Sequence, residues 1–160
     1  MYRLLLLAFF VAAAACHQQN HAQTLYAFQD SSTNLYGFKD KAGKTVIAPQ
    51  YTMAFSEELK HYAAVASEQY IIGIDAKGNE LYRIFNYDNG PDYASEGLFR
   101  IQGKDRKFGY ANAKTGAIVI APQYARALPF EKGRAKVSQD DNADWTQGTW
   151  YQIDKKGRRR

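Results

Sequence analysis

The pentapeptide Ile47-Ala48-Pro49-Gln50-Tyr51 (IAPQY) recurs letter for letter as Ile120-Ala121-Pro122-Gln123-Tyr124, 73 positions later. A chain that repeats itself at that distance is internally duplicated, and its other residues show a finer period. Gly37, Gly73 and Gly109 are 36 apart, as are Ala63, Phe99 and Ala135, and Val65, Ile101 and Val137. Tyr51, Tyr87 and Tyr124 step by 36 and then 37, which reads RIFNY (83–87) as a diverged middle copy of IAPQY. A period of about 20–50 residues marks a repeat architecture. A fourth, partial unit closes the chain, where Trp150, Ile153, Asp154 and Gly157 echo Tyr36, Lys39, Asp40 and Gly43.

Each unit has one anatomy. A short aromatic strand comes first: LYGFKD (35–40), IIGID (71–75), KFGYAN (107–112) and TWYQID (149–154). A glycine turn follows, DKAG, DAKG, NAKTG or DKKG. Asp or Asn opening such a turn bonds its own backbone, and Gly supplies a positive φ without steric cost. The second strands are KTVIA (44–48), NELYRIF (79–85) and AIVIA (117–121); Pro49 and Pro122 end two of them, because proline donates nothing to a ladder. A loop with an aromatic and an acid comes next (AFSEE, YASEG, PFEKG), then a third strand (HYAAVA, LFRIQ, RAKVS) whose alternation suits a sheet with one buried face. Helical periodicity is nearly absent outside the N-terminal leader. The pattern predicts an all-β chain of about three and a half antiparallel meanders. One meander cannot bury its own face, so neighbours stack. Ten or so short strands are too few for a propeller, so an open twisted array is expected, with a closed propeller-like ring as the alternative.

YGFKDKAGKTVIAPQY and FGYANAKTGAIVIAPQYARALPFEKGRAKV resemble the bacterial WG-repeat (KWG) family over residues 35–157. The resemblance implies a β-repeat module, often exported, without an assigned catalytic centre, that serves as a binding scaffold. The Trp-Gly pair itself is absent: Tyr36, Ile72, Phe108 and Trp150 stand at the tryptophan position, and Tyr151 follows the last in place of Gly. An insertion, QDDNADWTQG (139–148), stretches the spacing to the fourth unit from 36 to 42.

The N-terminus is a separate matter. One basic residue, Arg3, precedes an apolar run from Leu4 to Ala15, too short to cross a hydrocarbon core, which takes about 20 residues in helix. It reads as a secretory signal peptide, 1–15, followed by a linker at 16–24 and the repeat domain at 25–157. Ala13-Ala14-Ala15-Cys16 resembles a lipobox, which makes Cys16, the one cysteine, a lipid-attachment site; cleavage after Ala22 is the alternative. A single cysteine leaves no disulfide within the chain.

The chain holds 21 basic and 16 acidic residues, a net charge of +5. Arg3 leaves with the leader and KKGRRR (155–160) holds five more basic residues, so the body carries 15 against 16. Basicity thus belongs to a tail (158–160), read as a solvated terminus or a contact for anionic lipid, and a nucleic-acid groove is not expected.

No catalytic set stands out. Asp40, Asp75 and Asp154 share one turn position in separate repeats, where capping suffices. Glu57, Glu58, Glu96 and Glu131 recur in the loops, which line up on one edge of a stack and are candidate partner-binding residues. Asp140, Asn142 and Asp144 alternate as in a calcium loop, but Trp145 and Tyr151 stand where Gly and Glu belong, so at most a weak calcium site is expected. His17 and His21 lie in a linker and His61 stands alone, so no metal centre and no cofactor are expected. Tyr51, Tyr87 and Tyr124 are core pillars or, in a second reading, stacking platforms for sugar. The whole reads as an exported, lipid-anchored or else periplasmic or secreted, non-catalytic module. It binds an envelope protein or, alternatively, cell-wall glycan.

Overall fold

The computed structural model describes residues 23–141 and 144–160. The leader, Cys16, His17, His21 and Asn142 lie outside the described residues. Those described form short antiparallel strands and no helix: β1 Leu25–Gln29, β2 Tyr36–Lys39, β3 Thr45–Tyr51, β4 Met53–Ala54, β5 Glu58–Leu59, β6 Ala63–Ala66, β7 Ile71–Ile74 and β8 Glu80–Ile84. The second half continues with β9 Asn86–Tyr87, β10 Gly90–Pro91, β11 Leu98–Gln102, β12 Phe108–Asn112, β13 Ile118–Tyr124, β14 Arg126–Ala127, β15 Arg134–Ser138 and β16 Trp150–Asp154.

The hydrogen-bonded meander is offset by one strand from the sequence unit. The third strand of one unit is the first strand of the next meander, giving β1-β2-β3, β6-β7-β8 and β11-β12-β13. A last meander is β15-β16 closed by the C-terminus, where Arg159 bridges to Ile153 and the Arg160 N–H donates to the Gln152 carbonyl at 2.9 Å. The basic tail, read as a solvated terminus or a lipid contact outside the repeat domain, is exposed yet paired with β16, further held by Arg158 and Arg160 on the Asp154 carboxylate (2.9 and 2.6 Å) and by Arg159 over the Tyr151 ring.

After each second strand the chain crosses to the next meander, and the crossing residues are Ala54 opposite Val65, Ile84 opposite Ile101, and Ala127 opposite Val137. Gly37 to Ala54 spans 17 residues and Gly109 to Ala127 spans 18, but Gly73 to Ile84 spans only 11. The loop that follows compensates, with 17 residues from Ile84 to Ile101 against 11 from Ala54 to Val65. A loss of six and a gain of six cancel, so the period survives while the alignment inside the middle repeat does not. Its second strand lacks the bulge that β3 and β13 carry around Pro49 and Pro122. RIFNY is no copy of IAPQY.

Three apolar cores lie between successive meanders. Leu25, Phe38, Ile47 and Tyr51 meet Leu59, Ala63, Val65 and Ile74 in the first. Ala64, Ile71, Tyr82 and Ile84 meet Phe99, Ile101 and Ala111 in the second. Phe108, Tyr110, Ile120 and Tyr124 meet Ala127, Phe130, Ala135, Val137 and Ile153 in the third. Interior sheets are therefore packed on both faces: every residue of β7 is buried, and in β11 and β12 all but the last. The one-faced sheet read from alternation holds for β3, β8, β13 and β15, whose burial alternates or leaves one end exposed. Among the described residues no strand pairing joins the first and last meanders, so the array is open.

Candidate interaction surface

The acids of the glycine turns are used locally. Asp40 Oδ1 accepts the Ala42 and Lys44 N–H groups (2.9 Å each), Asp75 Oδ1 those of Lys77 and Asn79 (2.8 and 2.9 Å), and Asp154 Oδ1 those of Lys156 and Arg158 (2.9 and 3.0 Å). Asn112 does the same for Lys114 and Thr115 (2.9 and 3.0 Å). Gly43, Gly78, Gly116 and Gly157 close these turns at φ of 84°, 82°, 70° and 76°. Some burial pushes the Asp154 carboxyl up, but bonds from Arg158, Lys156 and Arg160 outweigh it and hold the group below the usual carboxylate range.

The turns are also where one repeat grips the next. Tyr51 donates to the Gly78 carbonyl (3.4 Å), Tyr82 to Gly116 (2.8 Å) and Tyr124 to Gly157 (3.4 Å). The middle member of this series is Tyr82, not Tyr87. Tyr51, Tyr82 and Tyr124 are buried, and desolvation raises the pKa of each phenol. Tyr51 and Tyr124 are thus unavailable as sugar platforms, which removes the stacking row on which the glycan reading rested. Tyr87 is 51% exposed.

Surface individuality arises where the repeat is broken. The extra residues of the middle unit form the β9-β10 hairpin, locked by a buried ion pair that sequence reasoning missed. Arg100 Nε and Nη2 donate to Asp92 Oδ2 and Oδ1 (2.9 and 2.6 Å), Arg100 N–H donates to the same carboxylate, and the guanidinium lies 4.4 Å over the Phe85 ring. The one signal available was an arginine at the centre of an apolar strand, LFRIQ. The 139–148 insertion contributes Trp145, which meets Phe108 and Trp150 at ring-centroid distances of 5.9 and 6.0 Å. Beneath Trp150 lies Arg126, 2% exposed, whose Nη1 donates to the Asp144 carbonyl (2.8 Å).

These features wall a row of clefts. Phe55, Ile84, Pro91, Ala94 and Phe99 line one of about 190 Å³. On the other side of segment 91–95, Tyr93, Leu128, Pro129, Phe130, Arg134 and Lys136 line one of about 470 Å³. Leu128 and Lys136 continue into a third, of about 260 Å³, with Trp145 and Trp150. Phe55 and Leu128 hold equivalent places, each N–H donating across to the strand behind, at Ala64 and Lys136. Phe55, Tyr93, Leu128 and Trp145, which line these clefts, are 39, 50, 36 and 38% exposed.

The loop acids take separate parts. Glu58 pairs with Lys60 at 2.6 Å, and Glu57 is exposed, its carbonyl accepting the Ala27 N–H. Glu96 is internal glue: its carboxylate takes Lys155 Nζ (3.0 Å) and the Gly133 N–H, and these, the lysine first, lower its pKa. Glu131, exposed and 3.9 Å from Lys132 Nζ, borders the 470 Å³ cleft. Of the proposed calcium ligands, Asp144 already accepts Thr146 and Gln147, and Asp140 accepts the Thr149 N–H. Among the described residues no cluster of three His, Cys, Asp or Glu groups is placed to hold a metal, and His61 is exposed.

The family model described as the WG-containing repeat matches residues 36–65 and 108–142. The chain carries WG repeats. The two matched segments are those with the proline bulge, and the middle WG-like unit, with its shortened second strand, falls between them. The glycine of the motif has a physical reason: a Cβ on Gly37 would sit 2.5 Å from the Ile47 carbonyl oxygen, and one on Gly109 would strike that of Ile120. In the middle repeat the Tyr82 ring fills the space over Gly73 instead. No curated protein and no solved structure matches the chain at a significant level.

Proposed function

We propose that this WG-repeat chain is an exported, non-catalytic interaction module of the bacterial cell envelope, anchored through lipid on Cys16, whose cleft row binds a protein partner. The observation that carries the reading is the exposure of Phe55, Tyr93, Leu128 and Trp145 in the walls of the clefts. Exposed apolar patches on otherwise polar surfaces mark interaction sites, and aromatic anchors dominate protein interfaces. Arg134 and Lys136 beside Leu128 favour a partner segment that combines apolar and acidic side chains. Asp40, Asp75 and Asp154, each committed to its own turn, and Glu96, bound to Lys155 and Gly133, support a binding role over catalysis.

The test is retention of solubilised envelope proteins on the immobilised protein. One protein retained at near-equal amount by the native chain, and lost with Tyr93→Asp and Leu128→Asp, supports the reading. Equal retention by the variant sinks it. Retention of purified sacculi in place of any protein assigns a glycan ligand.

A further inference from the structure

A fourth cavity, of about 480 Å³, joins the third and last meanders and shares Trp145 with the cleft row. Its walls are mixed: Phe85 and Phe108, packed edge to face (5.3 Å), and Trp145 supply an aromatic part, and Gln102, Gln139 and charged side chains the rest. Its cations come from two places. Arg106 and Lys107 stand on the rim, in the turn between β11 and β12, with the Arg106 N–H bonded to Gly103 O and Lys107 N–H to Asp105 Oδ1. Arg126 lies in the wall, almost wholly buried, with Nη1 on Asp144 O and Nη2 on Ser138 Oγ. Its Nε has no hydrogen-bond partner among the described residues. Leaving a donor of a charged group unpaired inside a protein costs about 1–3 kcal/mol or more, so such a group invites a functional explanation.

We propose that this cavity binds a small ligand made of a carboxylate on a ring, the ring lying against Phe85, Phe108 and Trp145 and the carboxylate facing Arg106, Lys107 and the Arg126 charge. The volume lies in the range of about 300–1,000 Å³ typical of small-molecule sites, and three aromatic rings beside three cations offer a ring face and an anion contact in one cavity. Guanidinium groups fit carboxylates in shape as well as charge. Asp105 and Asp141 offset two of the three lining cations, Arg106, Lys107 and Arg126, so the net charge matches one carboxylate per ligand. A ring acid of this kind is either an aromatic acid or a sugar acid.

The chain has two tryptophans, Trp145 in this wall and Trp150 on Arg126, so its emission reports the cavity. The purified protein is titrated with benzoate and, separately, with glucuronate, each beside its uncharged counterpart, benzamide or glucose. The expected result is a saturable change in emission with a carboxylate, at least tenfold weaker with its uncharged counterpart. The Arg106→Gly, Lys107→Gln variant should weaken it tenfold as well. Arg106 sits at φ 62°, so glycine there keeps the turn. A response to benzoate alone assigns an aromatic acid, to glucuronate alone a sugar acid, and to both the carboxylate itself. No saturable response to either, equal binding of the uncharged counterpart, or an unaltered rim variant overturns the proposal. Retention of an envelope protein on the cleft row is read independently, since neither rim residue lines it.

Discussion

The Tyr82 hydroxyl donates to Gly116 O from inside a core, so removing it strands a buried carbonyl. A hydrogen bond of this kind is worth about 0.5–1.5 kcal/mol net. Tyr82→Phe should therefore lower the urea-unfolding free energy by about 1 kcal/mol, while Tyr87→Phe, at an exposed site, should leave it within about 0.5 kcal/mol. Equal costs would mean that the numerical period, not the hydrogen bond, identifies the equivalent tyrosine. Asp154 contributes to the pH dependence. The folded-state pKa of Asp154 lies below its ordinary 3.8, so its contribution is present above that value and is lost as pH falls through the folded value. Stability should be flat above about pH 5 and fall below pH 4. Asp154→Asn should shrink that fall; an unchanged acid limb would remove the group from the account. Turn chemistry was legible in the sequence because Asp-x-x-Gly is a local device, satisfied within five residues. Arg100 and Asp92 were not, because their pairing depends on how a hairpin folds over a strand.

At the scale of elements, the structure separates what a period fixes from what it leaves open. Spacing found the strands, the glycine turns and the stacking. It could not find the offset meander, since hydrogen bonding between units leaves no mark on composition, nor the six residues moved from one side of Ile84 to the other. The tail shows a related limit: its three arginines are exposed, as a solvated end would be, but only the fold places Asp154 and Gln152 beside them. Two substitutions probe these elements. Gly109→Ala drives a methyl into a backbone carbonyl that cannot move alone, and should cost about 1–3 kcal/mol by thermal unfolding. Asp92→Ala leaves a buried guanidinium unpaired and should cost about 3–5 kcal/mol, whereas replacing Asp92 and Arg100 together by apolar residues should recover most of that loss. A double variant as unstable as the single would show that the pair specifies the hairpin and does not only satisfy its own burial.

For the whole molecule, three cores between four meanders make a nearly one-dimensional solid, in which each repeat depends on its neighbours. Ile153→Ala should open the last core first, so amide exchange should accelerate in β15 and β16 while β2 and β3 keep their protection; uniform acceleration would mean a single cooperative body. In the proposed reading, recognition falls to the places where the repeat fails, the middle hairpin and the 139–148 insertion, beside the clefts lined by Tyr93, Leu128 and Trp145. The most direct test of that account places a photo-crosslinking amino acid at Leu128 and, as a control, at Glu68, in the turn at the far end of β6 and β7, in living cells. The account predicts one discrete protein adduct from position 128 and none from 68. Adducts of equal yield from both positions, or none from 128, would contradict it.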